Sequence, residues 1–137
     1  LFTPMLLLAV TGSKVVVAGG LVILALGDGA SAILGRLWGR TPWPWHLGKT
    51  VEGSLAFSLA AALGLLALLW WVLPDVPVGG RVILAGGAAL GGSIAESLPL
   101  EIIQNGKPDD NFAVVLAGGG VLYLLGLILG VNMAGVL

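Results

Sequence analysis

Four long stretches of the chain are almost free of charge, and polar residues collect between them instead of alternating through them. Val15–Gly35 is twenty-one residues with Asp28 as its one charge, and Ser54–Leu73 is twenty residues with none. Val82–Leu100 is nineteen residues with Glu96 alone, and Phe112–Val131 is uncharged. Each is close to the roughly 20 helical residues that cross about 30 Å of hydrocarbon. Leu1–Gly12 is apolar but too short to cross, and reads as the tail of a truncated helix or as an interfacial segment. Pro74–Arg81 is a short turn, and Glu101–Asn111 (EIIQNGKPDDN) a polar loop. Trp70 and Trp71, near the end of the second span, stand where an interfacial aromatic belt is expected.

The expected fold is therefore all-α: a polytopic membrane helix bundle of about four to five transmembrane helices, forming one integral membrane domain over residues 1–137. The first apolar stretch lacks the basic n-region and cleavage pattern of a signal peptide, and a start at Leu1 fits an N-terminal truncation. Composition supports the same class. The chain is 58% hydrophobic and 9% charged, against about 25% charged in soluble domains. Its 23 glycines suggest helices packed through small faces. Gly35/Gly39, Gly87/Gly91 and Gly126/Gly130 have GxxxG spacing, read first as intramolecular packing, with a homo-oligomer seam as the alternative.

Charge and residue types narrow the chemistry. A net charge of −1 gives no basis for a nucleic-acid partner. With no cysteine, disulfides, thiolate zinc sites and cysteine nucleophiles are excluded, and the single His46 cannot build a histidine metal site. Any metal must be held by oxygen, which points to Mg²⁺ or a similarly hard ion.

Four crossings put the Arg36–Glu52 loop and the Glu101–Asn111 loop on one side and Pro74–Arg81 on the other. Arg36, Arg40, Lys49 and Lys107 then face Lys14 and Arg81, so the positive-inside rule makes the first side cytoplasmic. Asp28 lies fourteen residues beyond Lys14, and Glu96 fifteen beyond Arg81. At 1.5 Å per residue each sits roughly 21–23 Å along its helix, just below the cytoplasmic face. A charge at mid-bilayer costs at least about 2.5–3.5 kcal/mol. Two acids at matching depth are better explained by a shared polar pocket than by separate snorkelling or pairing with a nearby Arg.

The polar stretch Gly27–Ser54, GDGASAILGRLWGRTPWPWHLGKTVEGS, is the centre of this arrangement. An acid followed by the spaced cations Arg36, Arg40 and Lys49 and then Glu52 is what a metal-bound polyphosphate needs. Two local matches are rejected. Gly48-Lys49-Thr50 ends like a P-loop, but the glycine expected five positions earlier is Trp43. Gly27-Asp28-Gly29-Ala30-Ser31-Ala32 fits a dinucleotide fingerprint but lacks alternating strands and helices. His46, within WPWHLG, reads as an interface residue and not as a base.

The segments Gly27-Asp28-Gly29-Ala30, Gly35-Arg36, Gly39-Arg40 and Gly48 to Ala56 (GKTVEGSLA), followed by Glu96-Ser97-Leu98-Pro99 and Asp109-Asp110-Asn111, resemble the dolichol kinase/phytol kinase family. That family also includes CTP-dependent diacylglycerol kinases. The resemblance runs from Gly27 to about Ala117. It departs in the spacer Leu100–Pro108, longer than the family's usual link, and in a chain shorter than typical members. The related phosphatidate cytidylyltransferases share the core but end in a KD…PGHGG-type signature, which this chain lacks.

The resemblance implies transfer of the γ-phosphate of CTP to the hydroxyl of a membrane lipid such as a polyprenol, dolichol, a phytol-like alcohol or diacylglycerol. It implies Asp28, Glu96, Asp109 and Asp110 as ligands of one or two Mg²⁺ ions and Asp28, Lys49, Glu96 and Asp110 as the catalytic set. Arg36, Arg40, Gly48, Lys49, Thr50, Glu52 and Gly53 would then hold the nucleotide, with Glu52 either binding metal or orienting Lys49. The alternatives are a CTP-dependent cytidylyltransferase and an ion-coupled transporter, though the transporter leaves the basic loop without a purpose.

Overall fold

The structure, a computed structural model, describes residues 2–98, 103–104, 107–108 and 110–133. Within them the chain forms α1 (Phe2–Thr11), α2 (Lys14–Trp38), α3 (Val51–Val72), α4 (Val78–Ser97) and α5 (Asp110–Ile128). Two short hairpins join them: β1 (Pro42–Trp43) with β2 (His46–Thr50), and β3 (Ile103–Gln104) with β4 (Lys107–Pro108). Four of the helices, all but α1, are long and apolar enough to cross a membrane. The expected all-α membrane bundle is the architecture observed. The hairpins within the two polar loops were not foreseen.

Helix ends follow local chemistry. Ser13 caps α2, accepting from the Val16 N–H, while its own hydroxyl donates to the Met133 carbonyl at 2.6 Å. That buried bond ties the α1–α2 corner to the segment after α5. Gly130 stops α5 at φ 65°, a left-handed conformation that glycine adopts at little cost. The Val131 and Gly130 N–H groups return to the Gly126 and Leu127 carbonyls. Gly130 is thus a helix stop, while Gly126 packs against buried Met133, whose Cε a Cβ there would meet at 2.5 Å.

α2 and α4 each pack on α3 and α5, closing a ring, and α1 lies against α2 and α5. The core inside the ring is built from Phe57, Ile23, Leu65, Leu69, Leu84 and Leu122, all fully buried. Glycines let the helices meet. A Cβ on Gly87 or Gly91 would strike Leu125 or Val121, so that GxxxG pair faces α5 of the same chain. A Cβ on Gly27 would stand 2.6 Å from the Phe57 ring, and one on Gly92 would stand 2.7 Å from Ile23 and 3.4 Å from the same ring. Phe57 therefore fills a slot cut by two glycines, one just before Asp28 and one a turn before Glu96.

At the far end, Arg81 lies in the first turn of α4 and is only 6% exposed, where the turn Pro74–Arg81 was expected to offer it to water. Its guanidinium sits over the Trp70 ring, 4.7 Å from the centroid, and donates to the Pro74 carbonyl. Trp70 is thereby a cation–π partner. Trp71, 84% exposed, keeps the belt position.

Candidate functional site

A polar cavity of ≈ 260 Å³ opens where α2, α3 and α4 converge with β2. Along α2 its wall is Asp28, Ser31, Ala32, Gly35 and Arg36, a spacing of three and four residues that keeps them on one helical face. Gly48, Lys49 and Thr50 come from β2, Gly53 and Ser54 from the first turn of α3, and Glu96 from the end of α4. Residues from four elements thus meet in one place, and Asp28 and Glu96 share it as their matching depth predicted.

The N-terminus of α3 is built by the Gly-Lys-Thr run. Thr50 is its N-cap, with the side-chain hydroxyl accepting from the Gly53 N–H at 3.2 Å. Thr50 therefore has a structural duty besides lining the cavity. The next turn leaves backbone N–H groups and the positive end of a 22-residue helix beside the cavity, favourable for an anion. Gly53 is closely packed, since a Cβ there would lie 3.1 Å from Thr50 Oγ1 and 3.5 Å from Gly35 Cα. A Cβ on Gly48 would make only ordinary contact with His46, so that glycine stays open to the cavity.

Lys49 and Glu96 form an ion pair, Nζ to Oε1 at 2.7 Å. Glu96 is almost entirely buried, whereas the Lys49 side chain is 21% exposed. Ser31 Oγ lies 3.3 Å from the same Glu96 oxygen and 3.1 Å from the Asp28 carbonyl, and its one proton serves either acceptor. Glu96 Oε2 is buried with no hydrogen-bond partner among the described residues. The Asp28 carboxylate and the Arg36 guanidinium likewise have none there. An orphaned buried carboxylate oxygen next to a second free carboxylate suits a hard cation with oxygen ligands. No group of three or more His, Cys, Asp or Glu residues that could hold a metal occurs among the described residues.

Glu52 is engaged with Thr41. Its carboxylate accepts from the Thr41 N–H at 3.2 Å and the Thr41 hydroxyl at 2.9 Å, so it fastens the base of the β1–β2 hairpin and does not line the cavity. Lys49 is oriented by Glu96, with which it pairs. Arg40 is exposed and outside the cavity wall, leaving Arg36 as the arginine at the site. His46 also stays outside it.

Asp109 and the side chain of Asp110 lie outside the described residues. The backbone of Asp110 opens α5. Gly20 meets Val115 and Gly119 meets the Val16 backbone, an antiparallel register that brings Asp110 level with the α2 turn just before Asp28.

Four contributors were not anticipated: Ser31, Ser54, Trp43 and Trp45. Ser31 was legible as the i+3 neighbour of Asp28. The indoles were not, because their partners are distant in sequence: Trp43 Nε1 donates to Ser54 Oγ at 3.0 Å and Trp45 Nε1 to the Ser97 carbonyl at 3.1 Å. No protein-family model, curated protein or solved structure matches the chain.

Proposed function

We propose that this chain is a CTP-dependent lipid alcohol kinase, with its cavity facing the cytoplasm and Mg²⁺ as the cation. One observation carries the proposal. Two membrane-level carboxylates, Asp28 and Glu96, line the same cavity as Arg36, Lys49 and the N-terminus of α3. Phosphoryl transfer demands little covalent work from the protein and much charge neutralisation and positioning, which is what such a wall supplies. The choice of CTP and of a lipid alcohol comes from the motif resemblance.

Polarity along α2 supports the assignment. Asp28 and Arg36 are eight residues apart, about 12 Å along the axis. The acid is at the deep end, where a hydroxyl carried by a lipid arrives, and the cation at the end nearer water. Lys49 and Arg36 hold the triphosphate, Arg36 with a bidentate fork available. Asp28 and Glu96 are the residues that would hold Mg²⁺, whose chemistry there would be neutralisation of polyphosphate charge. Asp28, with no protein partner among the described residues, takes the proton of the lipid hydroxyl as its oxygen attacks the γ-phosphorus. The bond from that phosphorus to the β–γ bridging oxygen breaks, and CDP leaves.

The test uses purified protein, a panel of lipid alcohols and CTP labelled at either end. Label from the γ position should enter the lipid with release of CDP, and label from the α position should not. Entry from the α position with release of pyrophosphate overturns the kinase reading in favour of a cytidylyltransferase. Failure to bind nucleotide at all overturns both.

A further inference from the structure

Lys49 is the one cation of the cavity wall that no membrane helix carries. It sits on a hairpin of two paired positions with an irregularity between them. An isolated two-stranded hairpin is marginal in water, so the position of Lys49 must be set by what the hairpin is fastened to.

The Trp43 and Trp45 rings stack on each other, centroids 4.8 Å apart and 24° between planes. Each indole has one N–H, and both are spent on the bundle: Trp43 on Ser54 in the first turn of α3, Trp45 on the Ser97 carbonyl. That carbonyl belongs to the last turn of α4, where no intrahelical donor is available. Ser97 directly follows Glu96. One bond therefore fixes both the helix end that carries Glu96 and the hairpin that carries Lys49, four residues beyond Trp45.

We propose that Trp45, seconded by Trp43, is a positioning residue that clamps the hairpin across the ends of α3 and α4 and so holds Lys49 against Glu96. A purely interfacial tryptophan has no need of a fixed protein acceptor. Trp71, the most exposed indole at 84%, has none among the described residues and serves as the internal contrast. The effect on nucleotide rests on the function proposed above; the effect on Lys49 does not.

The test measures acylation of lysines by an amine-reactive reagent in the detergent-solubilised protein, resolved by mass spectrometry. Trp45→Phe keeps a ring to stack on Trp43 but removes the N–H. It should raise labelling of Lys49 about fivefold while leaving Lys14 unchanged, and Trp71→Phe should change neither. Affinity for CTP should fall about tenfold in Trp45→Phe, with the maximal rate at saturation less affected. If Lys49 labelling is unaltered in Trp45→Phe, the clamp is wrong, whatever CTP does. If wild-type protein binds no CTP but Lys49 labelling rises as described, the clamp stands and the kinase does not. Unfolding of the variant would show as a parallel rise at Lys14, and the wild-type chain then decides. By NMR the Trp45 indole N–H should exchange with deuterium more slowly than that of Trp38, which is 66% exposed. Equal or faster exchange at Trp45 overturns the proposal.

Discussion

Removing either partner of the Lys49–Glu96 pair should not cost the same. Lys49→Met leaves a carboxylate that is 4% exposed, with one oxygen facing only Ser31 and the other already without a partner. Breaking a buried ion pair from one side typically costs about 3–5 kcal/mol, because the survivor is an uncompensated buried charge. Water reaches part of this pair through the cavity, so about 3 kcal/mol is expected. Glu96→Gln leaves Lys49 on a flexible stem with 21% of its side chain already in solvent, and the ammonium can turn to water. About 1 kcal/mol is expected there. The double variant should also cost about 1 kcal/mol, so that most of the Lys49→Met loss is recovered by neutralising Glu96. Denaturant unfolding of the three variants in one detergent, followed by tryptophan fluorescence, measures all of this. Equal small losses for the two single variants would show a solvated surface pair and refute the buried-carboxylate reasoning.

Four further outcomes follow from the same geometry. Asp28→Asn should lower kinase turnover at least about a hundredfold, as loss of a proton acceptor does. Its unfolding midpoint should hardly move, since the Asp28 carboxylate bonds nothing among the described residues; near-normal turnover would remove Asp28 from the site. Gly27→Ala drives a methyl group into the Phe57 ring and should cost about 1–3 kcal/mol. Gly29→Ala meets nothing within 4 Å and should be neutral or gain up to about 1 kcal/mol in the same unfolding assay. Single cysteines in this cysteine-free chain test the topology: positions 40 and 107 should react with an impermeant thiol reagent from one face and position 75 only from the other. Arg81 is too buried to report.

The four helices of spanning length were legible because twenty-residue apolar runs are a strong signal, and the pocket because lone acids in such runs need company. Hairpin β1–β2 was not, since its strands are held by bonds from Trp43, Trp45 and Thr41 to residues on other helices or eleven positions away. The engagement of Glu52 with Thr41 was hidden for a related reason. The resemblance offered it as a metal ligand or as the partner of Lys49, whereas the chain folds back so that Thr41 presents two donors to it. The role of Glu96 as partner of Lys49 joins residues forty-seven positions apart. Periodicity gives the depth of a residue in a membrane but not which helices adjoin.

Depth alone left one matter open that the packing resolves. Glu96 is in the last turn of α4, whereas Asp28 is ten residues short of the end of α2. They meet because α2 is the longest helix and overruns the ring. Its Gly35 packs on Gly53 at the start of α3, while the turn ending at Trp38 continues past it. The overrun also carries Arg36 beyond the level of the two acids. Their eight-residue separation holds Asp28 and Arg36 about 12 Å apart along the axis, too far to pair with each other. Under the proposed function, the extra turns of α2 keep Asp28 free for a lipid hydroxyl and Arg36 free for a phosphate, with Lys49 held in reserve on Glu96 until the nucleotide arrives.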